Sequence, residues 1–170
     1  VIALARAEKP LFALLACLLV TSATQARVVE VGEPAPTFAL TDEHGKIHDL
    51  QDMIGVPIIL HFTHNMCHYC TQVIRSLKRV HATYGADDLT IVAINVWAES
   101  GELIRRYKET FGLPFPMLAG KNPALLRNYE VNYVPLIVFI DRTGTVRRIE
   151  HHYIPEEELI AATKQLVESE

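Results

Sequence analysis

Two cysteines three residues apart, in Cys67-His68-Tyr69-Cys70, stand where one kind of apolar pattern gives way to another. Before them, residues 58–62 form a short unbroken apolar run of strand length. After them, Cys70, Val73, Ile74, Leu77, Val80, His81 and Tyr84 recur at the spacing of one helix face. A buried strand that passes directly into an amphipathic helix commits the chain to an α/β layered arrangement. The remaining pattern agrees. Residues 89–96 and 136–140 are further apolar runs rich in Ile and Val, as buried strands are. Leu103, Ile104, Tyr107 and Phe111 share one face of a helix over 102–111. Asn122 and Pro123 are a cap and a first-turn residue for a short helix over 123–129. Asp141-Arg142-Thr143-Gly144 turns the third apolar run into a polar-alternating edge strand over 145–152. Pro155 then opens a last helix, whose first acids, Glu156, Glu157 and Glu158, suit the positive end of a helix dipole. The expected architecture is α/β, a central mixed β-sheet flanked by helices.

Two segments precede that domain. Residues 27–56 read as an N-terminal extension in which Pro34 and Pro36 exclude a helix, and residues 37–40 and 46–50 flank Asp42-Glu43-His44-Gly45 as a β-hairpin. Residues 1–26 differ in kind: Arg6 and Lys9 precede an uncharged apolar run at 11–20, followed by small and polar residues up to Ala26. That order is a secretory signal peptide. An uncleaved membrane anchor through residues 11–23 and lipidation at Cys17, within Leu14-Leu15-Ala16-Cys17, are the alternatives. The expected division is therefore a signal over 1–26 and one domain over 27–170, exported or periplasmic. Loss of Cys17 with the signal would leave Cys67 and Cys70 as the only pair. Closing so short a loop constrains the unfolded chain little, so the pair's value is chemical.

At a helix N-terminus, backbone N–H groups and the helix dipole favour an anion, so a thiolate there forms at lower pH and attacks as a nucleophile. Cys67 is the exposed attacker, and Cys70, one turn on, can resolve a mixed disulfide. His68, when protonated, could favour the Cys67 thiolate further, or be a solvated residue at a helix start. His61, His64, Cys67 and Cys70 also fall at three-residue intervals, as in a Cys₂His₂ metal site. Strand and helix direct their side chains differently, which argues against that reading. With 49% apolar residues, 21% charged residues and a net charge of −4, the chain has the composition of a globular protein and no basic surface for nucleic acid. No glycine-rich phosphate loop, flavin site or metal site is evident, so no cofactor is expected.

These residues resemble the thioredoxin-like redoxins, in particular the exported TlpA-like branch that includes cytochrome c maturation reductases. The likeness runs from Val31-Gly32-Glu33-Pro34-Ala35-Pro36, through Ile59-Leu60-His61-Phe62 and the cysteine pair, to Tyr129-Glu130-Val131-Asn132-Tyr133-Val134-Pro135. It implies a thioredoxin fold, a cis Val134–Pro135 bond facing the cysteines, and a Val134 backbone that pairs with extended substrates, with His68 and Tyr69 beside them. It sets His61 where relatives often hold a buried acid, so that an imidazole of ordinary pKa near ~6.5 would exchange the Cys70 proton; a packed core histidine is the alternative. Met66, His68, Tyr69 and Val73 depart from the family's usual tryptophan, proline and acid, and Glu99 stands either for another site acid or for a surface glutamate. The implied activity is thiol–disulfide exchange with protein substrates, by a monomer served by a membrane-bound redox partner. Two other readings are carried. A peroxiredoxin-like peroxidase would need proline at Leu60 and threonine at His64. A copper-binding chaperone would use the His and Cys set.

Overall fold

A computed structural model describes residues 28–169. The signal, anchor and lipidation readings of residues 1–26 lie outside them. The N-terminal extension forms the hairpin β1 (Ala39–Thr41) and β2 (Ile47–Asp49), then a 3₁₀ turn at Gln51–Met53. Asp42 builds the hairpin turn by accepting the His44 and Lys46 amides at 2.8 and 3.0 Å, and Gly45 takes φ 80°, where a side chain would be strained.

The domain proper runs β3 (Ile58–Thr63), α1 (His68–Asp88), β4 (Thr90–Asn95), α2 (Gly101–Phe111), β5 (Met117–Ala119), α3 (Pro123–Asn128), β6 (Leu136–Ile140), β7 (Val146–Glu150) and α4 (Glu156–Glu168). The five longer-range strands order as β5-β4-β3-β6-β7. β3, β4 and β5 are parallel, whereas β6 runs antiparallel to β3 and β7 antiparallel to β6. This is the mixed sheet expected; β4 and β7 end one or two residues inside the runs read from the pattern, whereas β3 takes in Thr63 and α1 continues to Asp88. All six residues of β3 are buried because both faces of the sheet are covered.

Side chains alternate along β3, and each set has its own partners. Ile59 joins Val73, Ile74, Leu77 and Val80 of α1, Tyr107 of α2 and Leu159 of α4. Ile58, Leu60 and Phe62 pack on the other face with Leu125, Tyr129 and the extension's Phe38, Leu40 and Leu50. Asn122 caps α3 as its type suggests, its Oδ1 accepting the Ala124 and Leu125 amides at 2.9 and 3.2 Å. The extension also covers the start of the β7 edge: Gly32 N–H donates to Val146 O and Val146 N–H to Glu33 O. The outcome is that β3 delivers the chain to the head of α1 from a rigid, fully buried support.

Candidate active site

Cys67 is the N-cap of α1, with extended backbone at φ −91° and ψ 104°. It is bonded to Cys70 in a disulfide with the Cα atoms 5.2 Å apart. The Cys70 N–H donates to Cys67 Sγ at 3.1 Å, so a first-turn amide points at the sulfur. The two sulfurs differ in access: Cys67 is half-buried and Cys70 is 0% exposed. The pair therefore has an outer and an inner member.

Val134–Pro135 is cis, as the resemblance implied, and Val134 O lies 3.7 Å from Cys67 Sγ. A recess of about 400 Å³ opens on that side, lined by Val96, Trp97, Leu126, Val131, Tyr133 and the edge of His64. Met66, Tyr69, Trp97, Tyr133 and Tyr153 are among the large apolar side chains left exposed, Met66 at 81% and Tyr133 at 79%. His68 lies on the other flank, exposed, with its Nε2 3.0 Å from Gln72 Nε2 and its ring edge-on to Tyr69. Tyr69 in turn contacts Tyr153 at a centroid distance of 5.5 Å.

His61 lies on β3 opposite Ala93 and Ile137, on the face that receives α1. It is 0% exposed, and neither ring nitrogen has a hydrogen-bond partner. Burial pushes its pKa down to about 3; the nearby Cys70 backbone opposes this only weakly. The expectation of an ordinary pKa is thus corrected: next to a closed disulfide the ring is neutral, because no anion faces it and the Cys70 backbone does not offset its desolvation. Val73, the departure noted from the resemblance, is buried, and Glu99 is an exposed partner of Lys121 at 2.5 Å, the surface reading of that residue. The three-residue series His61, His64, Cys67, Cys70 does not converge; among the described residues no three His, Cys, Asp or Glu side chains are grouped as metal ligands.

Two asparagines escaped the sequence reading. Asn95, buried at the end of β4, donates from Nδ2 to Asn65 Oδ1 at 2.6 Å and accepts the Trp97 N–H at 3.1 Å. It ties the loop before Cys67 to the loop after β4. The available signal was a polar residue at the carboxyl end of an Ile/Val strand, where open α/β sheets gather their sites.

A strand, a cysteine-capped helix and a facing cis-proline segment around a mixed sheet define the class as a thioredoxin fold. The AhpC/TSA family pattern matches residues 31–149, and the chain belongs to that family. It is 32% identical over 126 residues to thiol-disulfide oxidoreductase ResA of Geobacillus kaustophilus (strain HTA426), covering 74% of this chain and 72% of that one. To the ResA of Bacillus subtilis (strain 168) it is 26% identical over 121 residues, 71% and 67% of the two chains. Among solved structures, a protein assigned as thiol:disulfide interchange protein DsbE from Chlorobium tepidum superposes with a TM-score of 0.70 at 26% identity, over 82% of this chain and 96% of that one. A protein assigned as a disulfide isomerase from Bacteroides thetaiotaomicron shares the fold with a TM-score of 0.74 at 22% identity, over 84% and 92%.

Proposed function

We infer that this chain is a thiol–disulfide oxidoreductase acting on protein substrates, with Cys67 as the attacking sulfur and Cys70 as the resolving one. The observation that carries the assignment is the asymmetry of the pair. Cys67 is accessible, caps a helix and receives an amide hydrogen bond, all of which favour a thiolate once the disulfide is reduced. Cys70 is sealed behind it.

In the reducing direction, the Cys67 thiolate attacks one sulfur of a substrate disulfide. The S–S bond of the substrate breaks, a Cys67–substrate bond forms, and the departing substrate sulfur leaves as a thiolate that takes a proton from water. Cys70, deprotonated, then attacks Cys67 Sγ, releasing the second substrate sulfur and closing Cys67–Cys70; two electrons have passed to the substrate. The inner proton is the difficult one, because Cys70 has no solvent. His61 is our candidate for its acceptor. The ring is neutral and has free lone-pair capacity, and a thiolate formed beside it would raise its pKa, so proton and charge would move together. An extended substrate is read by the Val134 backbone ahead of Pro135, with Tyr69 and His68 at its edge.

The resemblance to the TlpA-like branch favours the reducing direction, and the pattern of residues 1–26 favours export, with a membrane-bound donor of electrons. The peroxidase reading lacks both of its required residues, since Leu60 is a buried strand residue and His64 is engaged with Trp97. Equilibration of the purified protein against glutathione buffers tests the assignment: Cys67–Cys70 opens and closes reversibly, at a reducing potential for a chain that acts as a reductant. Thiols that stay inert to oxidised glutathione at neutral pH would overturn it.

A further inference from the structure

His64 has no role in the exchange described above, yet three contacts converge on it. Its ring lies flat on Trp97, with centroids 3.8 Å apart and planes 3° from parallel. Its Nδ1 accepts the Met66 N–H at 3.1 Å, and its carbonyl accepts the Cys67 N–H at 3.3 Å. The neighbouring Asn65 is bridged to Asn95, whose side chain also holds the Trp97 amide. Two loops are therefore joined at two points, one stacked and one hydrogen-bonded, directly before the outer cysteine.

We propose that His64 is a positioning residue for Cys67: its neutral imidazole, clamped on Trp97, fixes the turn that presents the sulfur by accepting the Met66 N–H. The role rests on the exchange reading above. An Nδ1 that accepts must carry no proton, so the ring's hydrogen sits on Nε2. In the imidazolium both nitrogens are donors, and Nδ1–H then faces Met66 N–H donor to donor. Protonation thus breaks the turn's bond without any other group moving.

The surroundings favour the neutral ring. In the recess it faces Val96, Leu126, Val131, Asn132, Tyr133 and Val134, of which Tyr133 is the one titratable side chain. From its own loop it has Asn65, Met66 and Cys67, which is held in the disulfide. From the Trp97 loop the charged residue is Glu99, engaged by Lys121. With no anion set against it, burial brings its pKa below 6.5.

Two variants separate the acceptor from the stack. His64→Asn keeps an acceptor for the amide two residues on, which an asparagine makes without titrating. His64→Phe keeps a ring on Trp97 and has no acceptor. The measurement is the rate of opening of the oxidised protein by dithiothreitol, each variant divided by wild type at the same pH so that the reagent's own ionisation cancels. At about pH 8, His64→Asn, which loses the stack but keeps the acceptor, is expected to be the faster of the two variants, and His64→Phe about threefold to tenfold slower than wild type, the worth of one hydrogen bond. As pH falls below 6.5 and the ring takes up its proton, the His64→Asn ratio climbs by a similar factor and the His64→Phe ratio approaches one. Ratios that do not change with pH, or a His64→Phe protein as fast as wild type at the alkaline end, would overturn the proposal. An imidazolium acting instead as counter-ion to sulfur would make His64→Asn the slower protein in acid, which also overturns it. Trp97 is the only tryptophan in the chain, so its emission reports the stack independently of either variant. It should titrate in one step below pH 6.5 in wild type, and a flat profile counts against the proposal. A protein that shows the step and the ratios but exchanges with no protein substrate would sink the function reading alone.

Discussion

His61 and Tyr129 lie on opposite faces of the central sheet, and both rings are sealed from solvent. Tyr129 packs on Phe62 and Phe38, and its hydroxyl donates to Pro36 O at 2.6 Å, which ties α3's end to the N-terminal extension. His61, one residue from Phe62 and pointing the other way, has two ring nitrogens and no partner for either. A satisfied buried polar group adds to stability, whereas an unsatisfied one subtracts from it. The difference separates a face built to hold the fold from a face that carries a polar group for some other reason, and that face is the one beneath Cys70.

The largest effect expected is on activity alone. Cys67→Ser should abolish turnover of protein disulfides while the thermal transition of the reduced protein changes little, because the position is a cap and a half-buried loop residue rather than core. A variant with residual turnover would shift the chemistry away from the outer sulfur. Next come opposite signs of stability. Tyr129→Phe strands Pro36 O in the core and should cost about 1–3 kcal/mol in urea unfolding. His61→Leu removes an unpaired polar ring and should leave stability unchanged or raise it, while altering the pH profile of exchange. If both variants lose stability equally, the contrast between the faces is wrong.

Acid sharpens the same contrast. The folded His61 pKa of about 3 lies below its unfolded value near 6.5, so the unfolded chain binds the extra proton and stability drains away as pH falls between those values. The melting-temperature advantage of His61→Leu over wild type should therefore widen across that window. Asp42, in the hairpin on the extension side, behaves differently. Burial raises its pKa, but hydrogen bonds from His48 and from the His44 and Lys46 amides outweigh this and hold it at about 2. Its contribution is present above 3.8 and is lost as pH falls through about 2. The smallest effect is accordingly that of Asp42→Asn, a modest loss at neutral pH that vanishes in strong acid, followed by melting against pH.

Much of this was legible in the chain because it is local. The run into Cys67-His68-Tyr69-Cys70, the Asn122–Pro123 helix start and the Gly45 hairpin are each written within a few consecutive residues, and the structure keeps them. The cis Val134–Pro135 bond was reached through family likeness, since a proline before a strand has no local mark of its isomer. What stayed hidden depends on separate segments meeting. The His64 stack on Trp97 and the Asn65–Asn95 bridge join two loops that β3, α1 and β4 bring together, so no spacing rule announces them. The pKa of His61 was misjudged for the same reason: the position was read, but its sealing by α1 and the absence of a partner are tertiary facts.

The division of labour between the two sulfurs is tested most directly by covalent capture. Reduced Cys70→Ser protein is mixed with a disulfide-bonded peptide, and reduced Cys67→Ser protein is treated in parallel; adducts are mapped by mass spectrometry. A stable mixed disulfide is expected on Cys67 in the first and next to none on Cys70 in the second. Equal capture by both proteins, or faster capture by Cys70, would contradict that division.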